Sequence, residues 1–302
     1  MLEIEKKQLY RQIGKLVRQK CLAYPGDFQQ VDELIVRIQE GLQNGFLTRK
    51  TISQLIRCFD REFIENTVQG HGLKKPFGYA GDFLMIDKIY TFYKSGHPEF
   101  RFWDEYFHQH AATKAVRNRK EYFKRIINQK TADNPCLHLL NVASGPARDL
   151  YEMYGELSSP QKVRTTCVEM DKNAISYAKK LNNMFLSHID FRHRNIFSYT
   201  DEREYDMIWS AGLFDYFNDK TFLSVLLKLK KHLKKGGEMI IGNFNEDYNP
   251  SRPYMEIFGE WFLHHRTEEQ LLDLAGKAGF TREQTGVGRE EGNVNLFLHI
   301  KN

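Results

Sequence analysis

The chain has 302 residues, of which 41% are hydrophobic and 27% charged, the balance of a globular protein with one large domain or two modest ones. It contains no run of about 18 apolar residues, and its start, MLEIEKKQLYRQ, is too charged for a signal peptide, so we expect a cytoplasmic protein without a membrane span. A net charge of +5 is too small to indicate nucleic-acid binding.

The first 130 residues have the apolar spacing of helices. In residues 31–42 and 52–63 the hydrophobic side chains recur every three or four positions and therefore share one helical face. The Gly- and Pro-rich residues 70–82, GHGLKKPFGYAGD, interrupt this pattern and predict a loop. We predict an all-α N-terminal region over residues 1–130 that serves as a lid or substrate region, followed by a linker at residues 131–135.

From residue 136 onwards, short apolar segments alternate with helical patterns, which predicts a parallel sheet with helices on both faces. The last two strands are separated only by REEG, so they must be antiparallel. Asp219 should cap the third helix and Gly236-Gly237 should end it, whereas Thr267 and Gln270 form a capping box for the fourth. The predicted strands are residues 136–143, 163–170, 189–197, 205–212, 237–244, 281–288 and 293–301, and the helices are residues 147–157, 173–185, 219–237 and 271–279.

A tight loop of small residues follows the first of these strands. Ala143, Gly145 and Ala147 allow backbone N–H groups to approach a ligand at the start of the next helix. Glu169 ends the second strand, where a carboxylate can accept hydrogen bonds from both hydroxyls of a ribose. A dinucleotide fold would show the GxGxxG spacing, and this loop has one glycine. The pattern therefore predicts a nucleoside cofactor other than NAD.

These segments resemble a known family. LNVASGPARD (140–149) resembles motif I of class I S-adenosylmethionine-dependent methyltransferases, CVEMDKNAISYAKK resembles their motif II, and YDMIWSAGLFDYF and KHLKKGGEMII resemble later motifs. The resemblance covers residues 131–302 and implies an α/β fold, a doubly wound Rossmann-like sheet of seven strands in the order 3-2-1-4-5-7-6 with the last strand antiparallel. It also implies S-adenosylmethionine as the cofactor. KPFGYAGD and NPSRPYMEIFGEWFLHHRT resemble a bacterial subgroup with a helical N-terminal extension, which includes enzymes that form 3-hydroxy fatty acid methyl esters.

The resemblance implies a cofactor site at the carboxyl ends of the first four strands. Glu169 would hold the ribose, Met170 would pack on the adenine, and Asn195 would bind the adenine amine. Ala143 and Ala147 replace glycines, which is tolerable if their φ angles are negative, and Asn141 stands where an acid is usual. The expected cofactor residues are Tyr79, Asn141, Ala143, Ser144, Gly145, Ala147, Glu169, Met170, Asn195, Ile196, Ser210, Ala211 and Gly212.

The glycine-rich loop 76–82, PFGYAGD, lies between predicted helices. We expect it to fold over the cofactor as part of a lid, with Tyr79 at the methionine carboxylate and Asp82 as a helix cap or as the partner of Tyr79. A plain structural turn is the alternative. Arg117 and Arg119 lie two positions apart and cannot share a helical face, so we expect at most one of them to reach the active site.

The methyl acceptor should lie above the ends of the fourth and fifth strands. Arg266 would clamp a carboxylate with two hydrogen bonds, unless it pairs with Glu256 or Glu260. The expected catalytic residues are Asp215, Tyr216, Glu246 and His265, and the expected substrate-binding residues are Phe214, Asn243, Tyr254, Trp261 and Arg266.

Neither the cysteines nor the histidines predict a metal site. The histidine pairs 108/110 and 264/265 have spacings that do not place two ligands on one helical face. The cysteines form no CxxC pair, so we expect buried free thiols and no disulfide at Cys21, Cys58, Cys136 and Cys167.

The expected reaction is methyl transfer to a carboxylate or hydroxyl oxygen of a small molecule, either fatty-acid-like or aromatic. A carboxylate acceptor needs no base, whereas a hydroxyl must lose its proton. Two alternatives stay open, a methyltransferase that acts on RNA or protein and a non-catalytic module that binds the cofactor. We expect neither a nucleic acid nor a membrane as a partner, and we expect a monomer or a homodimer.

Overall fold

The structure is a computed structural model that describes residues 2–19, 27–133 and 136–302, so Cys21 lies outside the described residues. The chain forms two compact units. We call Met1–Lys114 with Pro250–Phe262 the helical unit, and Ala115–Asn249 with Leu263–Asn302 the sheet unit.

Aromatic packing and one buried carboxylate hold the helical unit together. The ring of Phe63 stacks on Phe59 at 4.1 Å and meets Trp103 edge-on at 5.2 Å. The carboxylate of Asp104 accepts backbone N–H groups from two separate segments, so it joins them inside the core. The N-terminal helices of this unit are α1 (Leu2–Gln19), α2 (Asp27–Gln43), α3 (Arg49–Ile56), α4 (Arg61–Asn66), α5 (Val68–Lys74), α6 (Phe83–Tyr90) and α7 (Arg101–Gln109).

The sheet unit contains seven strands in the order β3-β2-β1-β4-β5-β7-β6. Strands β1 to β5 pair in parallel, and β7 is antiparallel to both of its neighbours. The fold class expected from the sequence is thereby confirmed. The elements are α8 (Ala111–Asp133), β1 (Leu137–Val142), α9 (Arg148–Glu156), β2 (Val163–Glu169), α10 (Lys172–Leu181), β3 (Ile189–His193), β4 (Tyr205–Ser210), α11 (Asp219–Lys230), β5 (Leu233–Phe244), α12 (Arg252–Phe258, in the helical unit), α13 (Glu268–Lys277), β6 (Thr285–Arg289) and β7 (Asn295–Lys301).

Helix α8 explains why the units do not divide after residue 130. Its side chains Phe123 and Ile127 belong to the apolar layer on one face of the sheet, where Phe123 lies 5.1 Å from the ring of Trp209. Residues 115–130 are therefore part of the sheet unit. Conversely, Gln69 Nε2 donates to the carbonyl of Phe258 at 2.6 Å, which ties α12 to the helical unit.

The predicted loop over residues 70–82 is shorter than expected. Thr67 caps α5 by accepting the Gly70 N–H at 2.8 Å, so this helix continues to Lys74. A Cβ on Gly70 would lie 2.4 Å from the backbone of Ile64, so here glycine allows close packing of two helices and does not mark a loop. The side chain of Asp82 accepts the N–H of Met85 and so caps the start of α6. This is one of the two roles that the sequence predicted for Asp82.

The predicted helix over residues 219–237 is wrong in its second half. Asn218, and not Asp219, is its cap, and the helix ends at Lys230. The segment that follows starts β5, where the Gly236 N–H donates to the carbonyl of Asn302 at 2.7 Å. Gly236 has a φ of 77°, which favours glycine. Pairing with the chain end therefore outweighs the apolar helical spacing.

Two other boundaries differ from the sequence prediction. The proposed linker 131–135 is helical up to Asp133, where α8 ends. Residues 282–284 form a 3-10 turn, stabilised by a capping box between Thr281 and Gln284, before β6 starts. Both differences arise at element ends, where propensity is weakest.

Cysteine burial is also different from the prediction. Cys167 is buried in β2, whereas Cys58 and Cys136 are exposed. In the part of the chain that the structure describes, no group of three His, Cys, Asp or Glu side chains could hold a metal ion. Within the same residues, no helix is long and apolar enough to cross a membrane.

The capping box of α13 is present as predicted, and its removal tests how much it stabilises the sheet unit. Thr267→Ala should lower the free energy of unfolding of this unit by about 0.5–2 kcal/mol, because the Gln270 N–H loses its acceptor. Urea titration measures the change. The exposed Thr200→Ala should stay within about 0.5 kcal/mol of the parent; equal effects of the two changes would contradict the capping role.

Candidate functional site

The loop after β1 has an unusual backbone. Ala143, Gly145 and Ala147 have φ angles of 54°, 53° and 51°, so all three adopt the left-handed conformation. A negative φ, the condition under which alanine is tolerated at these two positions, is therefore not met. Each alanine costs about 1–2 kcal/mol in this conformation, so the surrounding structure must hold the loop.

Hydrogen bonds from β2 and α10 hold both alanines in place. The N–H of Ala143 donates to the carbonyl of Val168 at 2.8 Å. The amide of Asn182, which is completely buried, donates to the carbonyl of Ala147 at 3.1 Å. The sequence analysis missed Asn182, because an asparagine near the end of a helix usually serves the helix alone.

Glu169 connects the loop to the end of β2. One carboxylate oxygen accepts the N–H of Gly145 at 2.9 Å, and the other accepts the N–H groups of Met170 and Asp171 at 2.8 and 2.9 Å. Burial raises the pKa of this carboxyl, while the three N–H groups oppose the rise. A carboxylate offers about four lone-pair positions, so it retains acceptor capacity for a ligand hydroxyl.

Apart from Tyr79, which belongs to the helical unit, the expected cofactor residues lie at or after the carboxyl ends of the neighbouring parallel strands β1 to β4. A Cβ built on Gly145 would meet open space, so the loop has room for a ligand on this side. Met170 is 64% exposed and Ile196 is buried, whereas Asn195 uses its side-chain oxygen to cap a short turn at Phe197. This arrangement fits a nucleoside that contacts Glu169 and the loop together.

The end of β4 carries small residues and a buried cation. Ser210 donates to the carbonyl of Val142 at 3.3 Å, and a Cβ on Gly242 would lie 2.4 Å from the carbonyl of Ala211. A Cβ on Gly212 would lie 2.8 Å from Nη1 of Arg119, which is buried. Of the two arginines considered from the sequence, Arg119 is thus the one at this strand end.

Two buried carboxyl groups lie near Arg119. Burial raises the pKa of Asp149 to about 6 and that of Asp215 to about 7, and the positive charge of Arg119 opposes both rises. Asp215 also accepts the N–H of Phe244 at 2.7 Å. Sequence analysis selected Asp215 but gave no role to Asp149, since no spacing rule connects it to residue 119.

Arg266 has neither of the roles expected from the sequence. Its five N–H bonds go to Asp219, to Asn243 and to the carbonyls of Phe214 and Phe217. A guanidinium has five donors, so none remains for a substrate carboxylate in this conformation. Arg266 stabilises the turn between β4 and α11.

Two further substrate-binding candidates are structural in the sheet unit. Phe214 is completely buried and packs at 4.6 Å from the ring of Phe222. Asn243 is equally buried, donates to the carbonyls of Phe244 and His264, and accepts from Arg266. These contacts oppose a direct role in binding an acceptor.

The remaining candidates are distributed over both units. In the sheet unit, Tyr216 and Glu246 are exposed, whereas both ring nitrogens of His265 lie within hydrogen-bond distance of Asn249 and the carbonyl of Leu263. In the helical unit, Tyr254 is buried, stacks on His110 and hydrogen-bonds to Gln69, while Trp261 is half-buried and Tyr79 is 39% exposed. Tyr254 is therefore a core residue of that unit.

A comparison with known families concerns most of the sheet unit. Residues 133–279 match the family model of the methyltransferase domain. No curated protein matches the chain in sequence. This stretch is similar to methyltransferase domains, transferases of the class that the sequence resemblance indicates.

Solved structures share the fold. A possible exported protein from Bordetella parapertussis superposes with a TM-score of 0.62 and 17% identity, covering 78% of this chain and 86% of that one. A magnesium protoporphyrin IX methyltransferase from Synechocystis PCC 6803 with bound SAM superposes with a TM-score of 0.51 and 10% identity, covering 78% of this chain and 95% of that one. At such low identity these similarities concern the fold alone.

The left-handed loop makes a prediction about stability. Ala143→Gly should stabilise the sheet unit by about 0.5–1 kcal/mol, because glycine removes the cost of a left-handed alanine. Part of this gain is lost, because glycine raises the conformational entropy of the unfolded chain. Urea titration measures the difference. Ala132→Gly, the same change at an exposed helical position, should destabilise by about 0.5–1 kcal/mol. Destabilisation by both changes would contradict the strain assigned to the loop.

The buried carboxyl of Asp215 predicts a pH dependence. Its pKa of about 7 lies above the value of about 3.9 for an unfolded chain, so its stabilisation is complete below about pH 4 and is lost as the pH rises through 7. Asp215→Asn removes this titratable carboxyl group. The unfolding free energy of the parent minus that of the variant should therefore fall between pH 4 and 8.

Denaturant titrations at several pH values measure this difference. Asp273→Asn, which makes the same change at a side chain that is 68% exposed, should give an almost constant difference. A constant difference for Asp215→Asn as well would show that burial does not hold its proton.

Proposed function

We propose that this protein transfers a methyl group from S-adenosylmethionine to an oxygen of a small molecule, preferably a carboxylate. The observation that carries the cofactor assignment is the hydrogen bond between Glu169 and the left-handed loop at Gly145. It joins the acid at the end of β2 to the loop after β1, at the ends of adjacent strands, where a nucleoside binds in such sheets. When bound, the cofactor supplies an activated methyl group on its sulfonium.

The cofactor contacts follow from the positions of the strand ends. Glu169 would accept a ribose hydroxyl with its remaining lone pair, and the exposed Met170 would cover the adenine. Asn195 would accept a hydrogen bond from the adenine amine with the second lone pair of its side-chain oxygen, since the first accepts the Phe197 N–H. Ala211 and Gly212 would adjoin the methionine moiety, whereas Tyr79 at its carboxylate and the lid formed by residues 1–130 remain predictions.

The choice of a carboxylate acceptor rests on the state of the candidate bases. Asp215 is buried and accepts a backbone N–H, and the ring nitrogens of His265 already lie against Asn249 and Leu263. A carboxylate is nucleophilic at neutral pH without losing a proton, so it needs no base from this set. The resemblance of two segments to enzymes that form fatty acid methyl esters supports the same acceptor class.

A non-catalytic module that binds the cofactor is the second candidate. It is favoured by the alanines at positions 143 and 147, because they replace the glycines of the loop in the methyltransferases that this segment resembles. The two candidates differ in turnover and not in binding. A methyltransferase of RNA or protein remains a third outcome of the same test.

The test is methyl transfer from isotopically labelled S-adenosylmethionine, read by mass spectrometry. The acceptors are medium-chain and 3-hydroxy fatty acids, the corresponding alcohols, an aromatic acid, total RNA and a protein extract. We expect labelled methyl esters of an acid. Label in RNA or protein would overturn the small-molecule proposal, and cofactor binding without label anywhere would favour the non-catalytic module.

The role of Glu169 gives a separate prediction. Glu169→Ala should weaken binding of S-adenosylhomocysteine by about 1–3 kcal/mol, because both the ribose acceptor and the anchor of Gly145 are lost. Calorimetry measures the affinity. The control Glu202→Gln, at an exposed position, should bind normally. Unchanged affinity of Glu169→Ala would refute the ribose assignment.

A further inference from the structure

The edge strand β3 has an open side. It comes first in the order of the sheet, so β2 is its one strand neighbour within the described residues. The N–H of Thr165 donates to the carbonyl of His188 at 2.9 Å, and the N–H of Arg194 donates to the carbonyl of Glu169 at 3.0 Å. Because backbone groups alternate in direction along a strand, positions 190 and 192 also face β2. The N–H and C=O groups at positions 189, 191 and 193 therefore point away from the sheet.

One face of β3 carries opposite charges two positions apart. Asp190 and Arg192 share this face, since side chains alternate along a strand. Nη2 of Arg192 lies 2.6 Å from Oδ2 of Asp190, and both side chains are about half exposed. Charges on an edge strand usually discourage pairing with another copy, because like charges meet. Here the signs alternate, so a second strand can meet each charge with its opposite.

One register of two antiparallel β3 strands uses both of these features. If Phe191 lies opposite Phe191 of a second copy, position 189 lies opposite 193 and position 190 lies opposite 192. The outward groups then form two hydrogen bonds for each pair that involves positions 189, 191 and 193. The carbonyl of His193 also accepts Nη1 of Arg194 at 2.9 Å, and its second lone pair is left for the new strand. Asp190 and Arg192 fall into the closer pairs between these bonds, so each carboxylate faces a guanidinium of the other chain.

Exposed apolar side chains lie at both ends of β3. Met184 and Leu186 precede the strand, Phe197 follows it, and all three are exposed. A two-fold axis at Phe191 brings the segment before β3 of one chain beside the segment after β3 of the other. The apolar side chains then cover one another. This adds to the small area that a strand of five residues buries by itself, as a stable interface requires.

We propose that β3 is a dimer interface, at which a second copy of this chain continues the sheet by antiparallel pairing around Phe191. The surface is self-complementary, because Asp190 of each chain contacts Arg192 of the other. This inference is independent of the proposed function, since it involves neither the cofactor nor the methyl acceptor. The interface lies beside the candidate site, because Asn195 comes just after β3.

Charge reversal at the two positions tests the pairing. Sedimentation velocity over about 1–100 µM measures the dissociation constant of the full chain, and we expect the parent to form dimers. Asp190→Arg gives each strand two positive charges, and Arg192→Asp gives each strand two negative charges. Like charges then face each other twice, so each variant should dimerise about 10- to 100-fold more weakly.

Two rescue experiments separate charge matching from damage to the fold. An equimolar mixture of the Asp190→Arg and Arg192→Asp chains should form heterodimers, because the strands of the two chains then carry opposite charges. The chain with both substitutions should dimerise like the parent. The control is Asp273→Arg, which reverses an exposed charge beside Lys277 on α13 and should leave the dissociation constant unchanged.

A parent chain that stays monomeric over the whole concentration range overturns the inference. Dimers that both single variants form as readily as the parent also overturn it, because the interface would then lie elsewhere. If the single variants lose the dimer and neither the mixture nor the double variant recovers it, charge matching at β3 is not the cause and the inference is again overturned.

Discussion

The hydrogen bond from the Gly145 N–H to the carboxylate of Glu169 is the contact on which the candidate site depends. Together with the backbone bond from the Ala143 N–H to the Val168 carbonyl, it joins the loop after β1 to the end of β2. Because the carboxylate is buried, this bond has little competition from water and fixes the loop firmly. The ligand-binding surface is therefore set by the same acid that would contact the ligand.

The loop shows how a strained segment can persist at such a site. Ala143 and Ala147 are costly in the left-handed conformation, and their backbone groups are held by the Val168 carbonyl and the Asn182 amide. The charge of Arg119 is a second costly feature, because it lies among buried carboxyl groups and not in solvent. Both features lower the stability of the folded chain while they fix the geometry of the strand ends, where ligands bind in open α/β sheets.

Much of the fold could be predicted from the sequence, and the reason is periodicity. Apolar strands alternating with helices specify a doubly wound sheet, and the Thr267–Gln270 box depends only on local chemistry. Pairing between segments far apart in sequence was not predictable. The N–H of Gly236 donates to the carbonyl of Asn302, so Gly236 lies in a strand although the residues before it have a helical pattern. The burial of Cys167 was expected, but the exposure of Cys58 was not.

The site was predictable where a residue acts through its position on a strand, as with Glu169. The roles of residues that bring distant segments together were not predictable. Arg266 uses its N–H donors in the turn between β4 and α11, and Asp149 lies close enough to Arg119 for the arginine's charge to act on it. A crystal structure with S-adenosylhomocysteine tests the account most directly. We predict ribose hydroxyls within about 3.2 Å of the Glu169 carboxylate, above a loop that keeps its left-handed residues. An adenosine bound elsewhere, or protein side chains filling that space, would contradict it.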